Sequence, residues 1–201
     1  LWPVQDIYAP LAKHFPDITM VDKALVSIDY SRRDEYEFNG TKVIPLRFTD
    51  SICNVPYTDC MKSKYWYFGW EWEGWKSHHG IWRDGIKESQ LMNELGLNDG
   101  VPYNLISDMF QTGGTRTISI TPPDNGLKNV YMKFIEGYTV IDWLTVMQQA
   151  ETIHAVSSAN IYLFELFPPK AIVNLYIRRP NEQNHDNYSY LLTKDKYILH
   201  P

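Results

Sequence analysis

Between residues 5 and 14 the apolar positions Ile7, Tyr8, Leu11 and Ala12 return at the spacing of one helix face, and Pro16 stops the run. Short apolar stretches follow at 18–21, 24–28 and 42–45, broken by polar turns. They predict strands, with a hairpin around Asn39-Gly40, a dipeptide suited to a tight two-residue turn. Residues 62–82, KSKYWYFGWEWEGWKSHHGIW, follow neither the helical nor the strand period. From 84 to 95 a helix is predicted, with Ile86, Leu91, Met92 and Leu95 apolar and Gly96 as its stop. Gly96, Gly100 and Pro102 make residues 96–102 the candidate linker, dividing the chain into 1–97 and 98–201.

Beyond that linker the alternation is regular. Residues 103–107 predict a strand, followed by the glycine-containing loop Gln111-Thr112-Gly113-Gly114-Thr115-Arg116. Further strands are predicted at 118–120 and 130–135, separated by the turn Pro122-Pro123-Asp124-Asn125-Gly126. Thr139 opens a helix running to Ala150, with Asp142 three residues on as a capping-box variant. A strand at 152–156, a helix at 159–167 and an apolar strand at 171–177 complete a βαβ unit. That unit implies parallel pairing, a right-handed crossover and an α/β fold class.

Composition narrows the function classes. Of 201 residues, 44% are hydrophobic and 21% charged, the balance of an ordinary globular chain. No apolar run approaches the roughly 20 residues of a membrane span. A net charge of −5 leaves no broad basic face, so nucleic acid is not an expected partner. The chain opens Leu1-Trp2-Pro3-Val4, without a basic segment followed by an apolar one, and carries only Cys53 and Cys60. A cytoplasmic protein with idle thiols is expected. A helix at the very start, with no strand ahead of it, suggests a fragment or an unusual beginning. Tryptophan is the anomaly: five of seven lie between Trp66 and Trp82.

In open α/β sheets, ligands bind at the carboxyl ends of the strands. Three stretches fall there. Ser157-Ser158-Ala159-Asn160 turns a strand into a helix, whose free N–H groups and positive dipole end favour an anion such as phosphate. Arg178-Arg179 ends the next strand, and guanidinium forks suit phosphate oxygens. Gly113-Gly114-Thr115-Arg116 follows the first strand of this half. Glu165, two turns into the helix, can bond a ribose hydroxyl. Plainer readings stand beside these: Ser158 as a helix cap, both arginines as solvated charges, and Glu165 as an exposed helix residue. His154 reads as a core histidine more readily than a catalytic one. His78-His79 has no ligand spacing to support a metal. Trp66, Trp70, Trp72 and Trp75 suit either sugar stacking or a core, and burial is the expectation.

The run Gly137-Tyr138-Thr139-Val140-Ile141-Asp142-Trp143-Leu144, and then Met147-Gln148-Gln149-Ala150-Glu151-Thr152-Ile153-His154-Ala155-Val156-Ser157-Ser158, resembles the donor half of GT-B glycosyltransferases. The likeness covers about residues 137–180 and extends more loosely over 62–136. It implies two Rossmann-like halves: an incomplete acceptor-side half at 1–97 and a nucleotide-sugar-binding half at 98–201. It places the diphosphate on the turn from Ser157 to Asn160, with Glu165 as ribose contact and Arg178 or Arg179 stabilising the departing group. The donor is then a nucleotide-diphosphate sugar, the acceptor a glycan or other molecule. No metal or separate cofactor is called for, and no catalytic base can be matched. The alternatives are a non-catalytic carbohydrate-binding or assembly module built on the tryptophans, and a nucleotide-sugar epimerase.

Overall fold

The computed structural model describes residues 13–14, 36–38, 40–43, 62, 65, 69–77, 80–98, 100–110, 116–177, 191–193 and 195–200. The chain divides into two units, Leu1–Ile81 and Trp82–Pro201. In the first, β1 (Tyr36–Phe38) and β2 (Thr41–Val43) pair antiparallel, Tyr36 opposite Val43 and Phe38 opposite Thr41. The connection ends in Gly40 at φ +74°, a setting glycine adopts without steric cost, and the hairpin expected there forms.

A 3-10 helix, Trp72–Ser77, accounts for the missing period in the tryptophan-rich segment. It stacks Trp72 on Trp75 with ring centroids 5.5 Å apart, and both are buried. Trp70 departs from the expected burial, with 53% of its surface exposed, and meets the edge of the Tyr65 ring. Most of the helix expected over 5–14, the strands at 18–21 and 24–28, Cys53, Cys60, Trp66, His78 and His79 lie outside the described residues.

The second unit opens with α1 (Gly85–Glu94). Asp84 caps it, its Oδ1 accepting the Lys87 N–H at 3.1 Å. At the far end, Gly96 has φ +63°. Its N–H donates to Asn93 O and the Leu97 N–H to Met92 O, both at 2.9 Å, which is a Schellman ending. Lys128 Nζ donates to Leu95 O at 2.6 Å. A Cβ on Gly96 meets only that flexible ammonium, at 3.4 Å. Gly96→Ala should therefore cost about 1 kcal/mol through left-handed backbone strain rather than through a clash. Urea midpoints of the two proteins measure it.

The unit boundary lies ahead of α1, not at 97/98. Leu91 and Met92 on α1 are buried, and the helix packs against α2 (Leu144–Gln149) and the 3-10 turn Ile141–Trp143 that leads into it. Residues 96–102 are thus a connection within one unit. Thr139 keeps half of the expected capping box: the Asp142 carboxylate accepts both its N–H (2.7 Å) and its hydroxyl (2.9 Å). An ion pair at the start of α1 is hydrogen-bonded to α2 through Thr145 and Gln148. Glu88 is 1% exposed and takes a bidentate grip from the Arg83 guanidinium, plus the Thr145 N–H at 3.1 Å.

Five strands form one sheet: β3 (Tyr103–Ser107), β6 (Lys128–Tyr131), β7 (Thr152–Val156), β8 (Val173–Tyr176) and β9 (Tyr197–His200). Their spatial order is β6-β3-β7-β8-β9, and every neighbouring pair is parallel. The strands expected at 103–107, 152–156 and 171–177 therefore lie side by side with the direction that the βαβ reading demanded. A separate pair, β4 (Met109–Phe110) with β5 (Arg116–Thr117), is antiparallel. The strand expected at 118–120 is displaced to β5, because the hairpin ladder closes with the Ile118 N–H on Asp108 O at 3.0 Å. Between β7 and β8 runs α3 (Asn160–Leu166).

Alternation along the strands gives the sheet two unlike faces. Leu105, Val130, Ile153, Ala155, Val173 and Leu175 share one face and are buried. Tyr103, on the same face, donates its hydroxyl to Val146 O of α2 at 2.7 Å. The opposite face carries Asn129, Asn104 and Thr152 across three strands, and then His154, Asn174, Tyr176 and His200. Asn104 is fully buried and satisfied. Its Nδ2 donates to Asn125 and Asn129 (2.9 and 2.8 Å), while its Oδ1 accepts from Asn125 Nδ2 and Thr152 Oγ1 (3.0 and 2.7 Å).

Candidate functional site

Because all five strands point the same way, Ser107, Tyr131, Val156, Tyr176 and His200 end on one edge of the sheet. Taken in chain order, the strands stand 2-1-3-4-5, one of the two common doubly wound arrangements. From β3 the chain goes to β6 on one side, then crosses to β7 on the other. The loops leaving β3 and β7 diverge, and the crevice between them is where such sheets take ligands.

Asn160 spans this crevice. Its Nδ2 donates to Ser107 Oγ at 3.0 Å and lies 3.7 Å from Met132 Sδ, tying the ends of β3 and β6 to the first turn of α3. Ser157 is buried, and its N–H donates to Tyr176 O at 2.8 Å, which extends the β7–β8 ladder by one residue. Ser158 and Ala159 form the turn itself. Ser158 O accepts the Ile161 N–H and Ala159 O the Tyr162 N–H, each at 3.1 Å, while the Asn160 N–H reaches Ser158 Oγ at 3.4 Å.

Those bonds alter the expectation of a row of open donors. The first turn of α3 is wound tightly enough that the N–H groups of Asn160, Ile161 and Tyr162 have internal acceptors. The helix is also only seven residues long, so its dipole is short. What the turn presents is a set of hydroxyl and amide side chains, Ser107, Ser158 and Asn160, held in place by one another.

Glu165 takes neither of the roles expected for it. It is buried, and its carboxylate accepts the Thr193 N–H at 2.8 Å and the Thr193 hydroxyl at 2.7 Å. Burial pushes the Tyr197 phenol up, and a hydrogen bond to Glu165 adds to the effect. Glu165 therefore anchors α3 to the approach to β9. Arg116 lies in β5, and Gly113, Gly114, Thr115, Arg178 and Arg179 lie outside the described residues.

Two groups at the crevice escaped sequence reasoning. Ser107 was simply the last residue of a predicted strand, and Met132 sat inside an overextended one at 130–135. The available signal was their position at a strand's carboxyl end, which the expected parallel order already marked. His154 is buried, and its Nδ1 lies 3.1 Å from the Tyr176 hydroxyl. Burial, and then the nearby His200, lower its proton affinity below the usual imidazole value. Among the described residues, no helix is long and apolar enough to cross a membrane, and no three His, Cys, Asp or Glu side chains gather as metal ligands would. Comparison with family models, with curated proteins and with solved structures finds no match to this chain.

Proposed function

We propose that the second unit binds a nucleotide-diphosphate sugar at the carboxyl edge of its sheet, and that the chain acts as a glycosyltransferase-like protein with GT-B architecture. One observation carries the reading. A parallel sheet of order 2-1-3-4-5 has its switch point lined by Ser107, Ser158 and Asn160, small polar groups suited to diphosphate and sugar hydroxyls. In this reading the turn of Ser157, Ser158, Ala159 and Asn160 receives the diphosphate. Arg178 or Arg179 neutralises the departing group, and the loop of Gly113, Gly114, Thr115 and Arg116 borders the same ligand. A carbohydrate-binding module is the second reading, and the exposed Trp70 is the observation that favours it.

Thermal melts of the chain with UDP, GDP, ADP and CMP test the first reading. A nucleotide at a hundredfold excess over its dissociation constant stabilises the folded state by about 2.7 kcal/mol. At least one of the four should raise the melting temperature, and Asn160→Ala should shrink that rise, because it removes the amide that orders the crevice. If none shifts the melt at millimolar concentration, the nucleotide-sugar reading fails. A shift with oligosaccharide that disappears in Trp70→Ala then supports the binding module.

A further inference from the structure

Three rings stand in a row across β7, β8 and β9 on the polar face of the sheet. The register sets His154 opposite Asn174, and Tyr176 opposite His200. The Tyr176 hydroxyl lies 3.1 Å from His154 Nδ1, and the Tyr176 ring stacks on His200, centroids 4.5 Å apart and 11° from parallel. Asn174 orients the far end. Its Nδ2 donates to Ile153 O at 3.3 Å, so its Oδ1 accepts from His200 Nε2 at 3.0 Å. One side chain in each strand thus touches the next, from the middle of the sheet to its edge.

We propose that the His154–Tyr176–His200 row is an acid-sensitive latch, holding edge strand β9 on β8 near neutral pH and releasing it in mildly acid conditions. Among the described residues β9 has a neighbour on one side only; it is four residues long and leaves Ile198 and Leu199 exposed. Such a strand opens at lower cost than the rest of the sheet. Opening separates the two imidazoles, because His200 leaves with β9 while His154 stays on β7.

Among the described residues, no acid on this face of the sheet offsets a second positive charge. The same face presents Asn104 and Ile106 from β3, Thr152 and Val156 from β7, and Ile198 from β9. Neither histidine has an ion-pair partner among the described residues. The charged groups nearest in sequence are Glu151, exposed just ahead of β7, and Asp195 and Lys196, just ahead of β9; α3 contributes Glu165, which bonds Tyr197 from the opposite face.

The sign follows from where the proton binds more readily. Burial and the neighbouring imidazole depress proton binding by His154 in the closed state. Opening removes the repulsion of His200, so His154 in the open state binds a proton more readily, toward the ordinary imidazole value of about 6.5. Closure is therefore fully stabilised above that value, and the stabilisation is lost as pH falls below it. Between pH 7.5 and 5.5 the open fraction rises, with about tenfold as the ceiling for one histidine that stays neutral when closed.

Two amides report on β9 directly: Val173 N–H donates to Lys196 O and Ile177 N–H to His200 O, at 2.9 and 2.8 Å. Hydrogen exchange on the full chain, corrected for the intrinsic pH dependence of exchange, should show their protection falling from pH 7.5 to 5.5, by up to about tenfold. Met132 N–H, bonded to Ile106 O across the β6–β3 pairing at the far side of the sheet from β9, should keep its protection. In His154→Phe/His200→Phe, which retains the rings without the charge, all three should be flat with pH. Should that variant not fold, the His154 ring carbon followed by NMR in the unaltered chain gives a second reading, and its titration must coincide with the loss of protection. The latch is overturned by constant protection at Val173 and Ile177, by an equal loss in the double variant, or by an equal loss at Met132.

Discussion

Arg83→Met is expected to destabilise the second unit by about 3 kcal/mol, and Glu88→Gln by distinctly less. Arg83 holds four acceptors: both Glu88 oxygens, Gln148 Oε1 at 2.9 Å and Thr145 Oγ1 at 3.2 Å. Its guanidinium also lies 5.4 Å from the centre of the Phe167 ring. Removing the arginine leaves the Glu88 carboxylate buried with only the donors of Thr145, and an uncompensated buried charge is the costly outcome. Removing the charge on Glu88 instead leaves Arg83 with 31% of its side chain already in water, where it can be hydrated. The double replacement Arg83→Met/Glu88→Leu should regain most of the loss, since an apolar pair of similar volume can substitute for a buried ion pair. Urea unfolding of the parent chain and the three variants measures these differences. Equal costs for the two single changes would show that the desolvated carboxylate does not dominate.

Phe164→Ala should cost about 3–5 kcal/mol, the range for emptying a buried aromatic site. Phe164 is 1% exposed and lies in α3 among the buried residues Ile161, Leu163 and Glu165. Phe164→Leu, which leaves a smaller void, should cost distinctly less. The same helix carries Asn160 and continues from the Ser157–Ser158 turn, so the packing of Phe164 holds the crevice in register with Ser107. Denaturation midpoints give the cost, and a loss below about 1 kcal/mol would mean that α3 can collapse onto the vacated space.

Features set by residues close in sequence were readable from the sequence. Asp84 and Gly96 mark both ends of α1, because a cap and a left-handed ending depend on neighbours three to five positions away. Asn39-Gly40 specified its hairpin for the same reason, and Thr139 with Asp142 specified the start of the second helical segment. The three apolar runs at β3, β7 and β8, with α3 between the last two, carried the parallel direction of the sheet. The placement of the candidate crevice at strand ends followed from that direction.

Partners distant in sequence were not readable. Glu165 has the sequence context of an exposed helix position, yet it meets Thr193, 28 residues on, and is buried by it. Nothing local in the sequence marks Arg83 and Glu88 as partners of Thr145 on α2, 62 residues beyond Arg83. The same packing moved α1 into the second unit, against the glycines and proline that suggested a break at 97/98. Trp72 and Trp75 are buried while Trp70 is exposed, a distinction that composition cannot draw. On its own, then, the sequence determined the helix ends, the turns and the parallel α/β class, since these arise from steric preferences and hydrogen bonds within a few residues. Only the tertiary structure decided which charges are buried, which donors at the crevice already have acceptors, and that His154, Tyr176 and His200 stand in one row, because strand register and helix packing join positions that local chemistry does not connect.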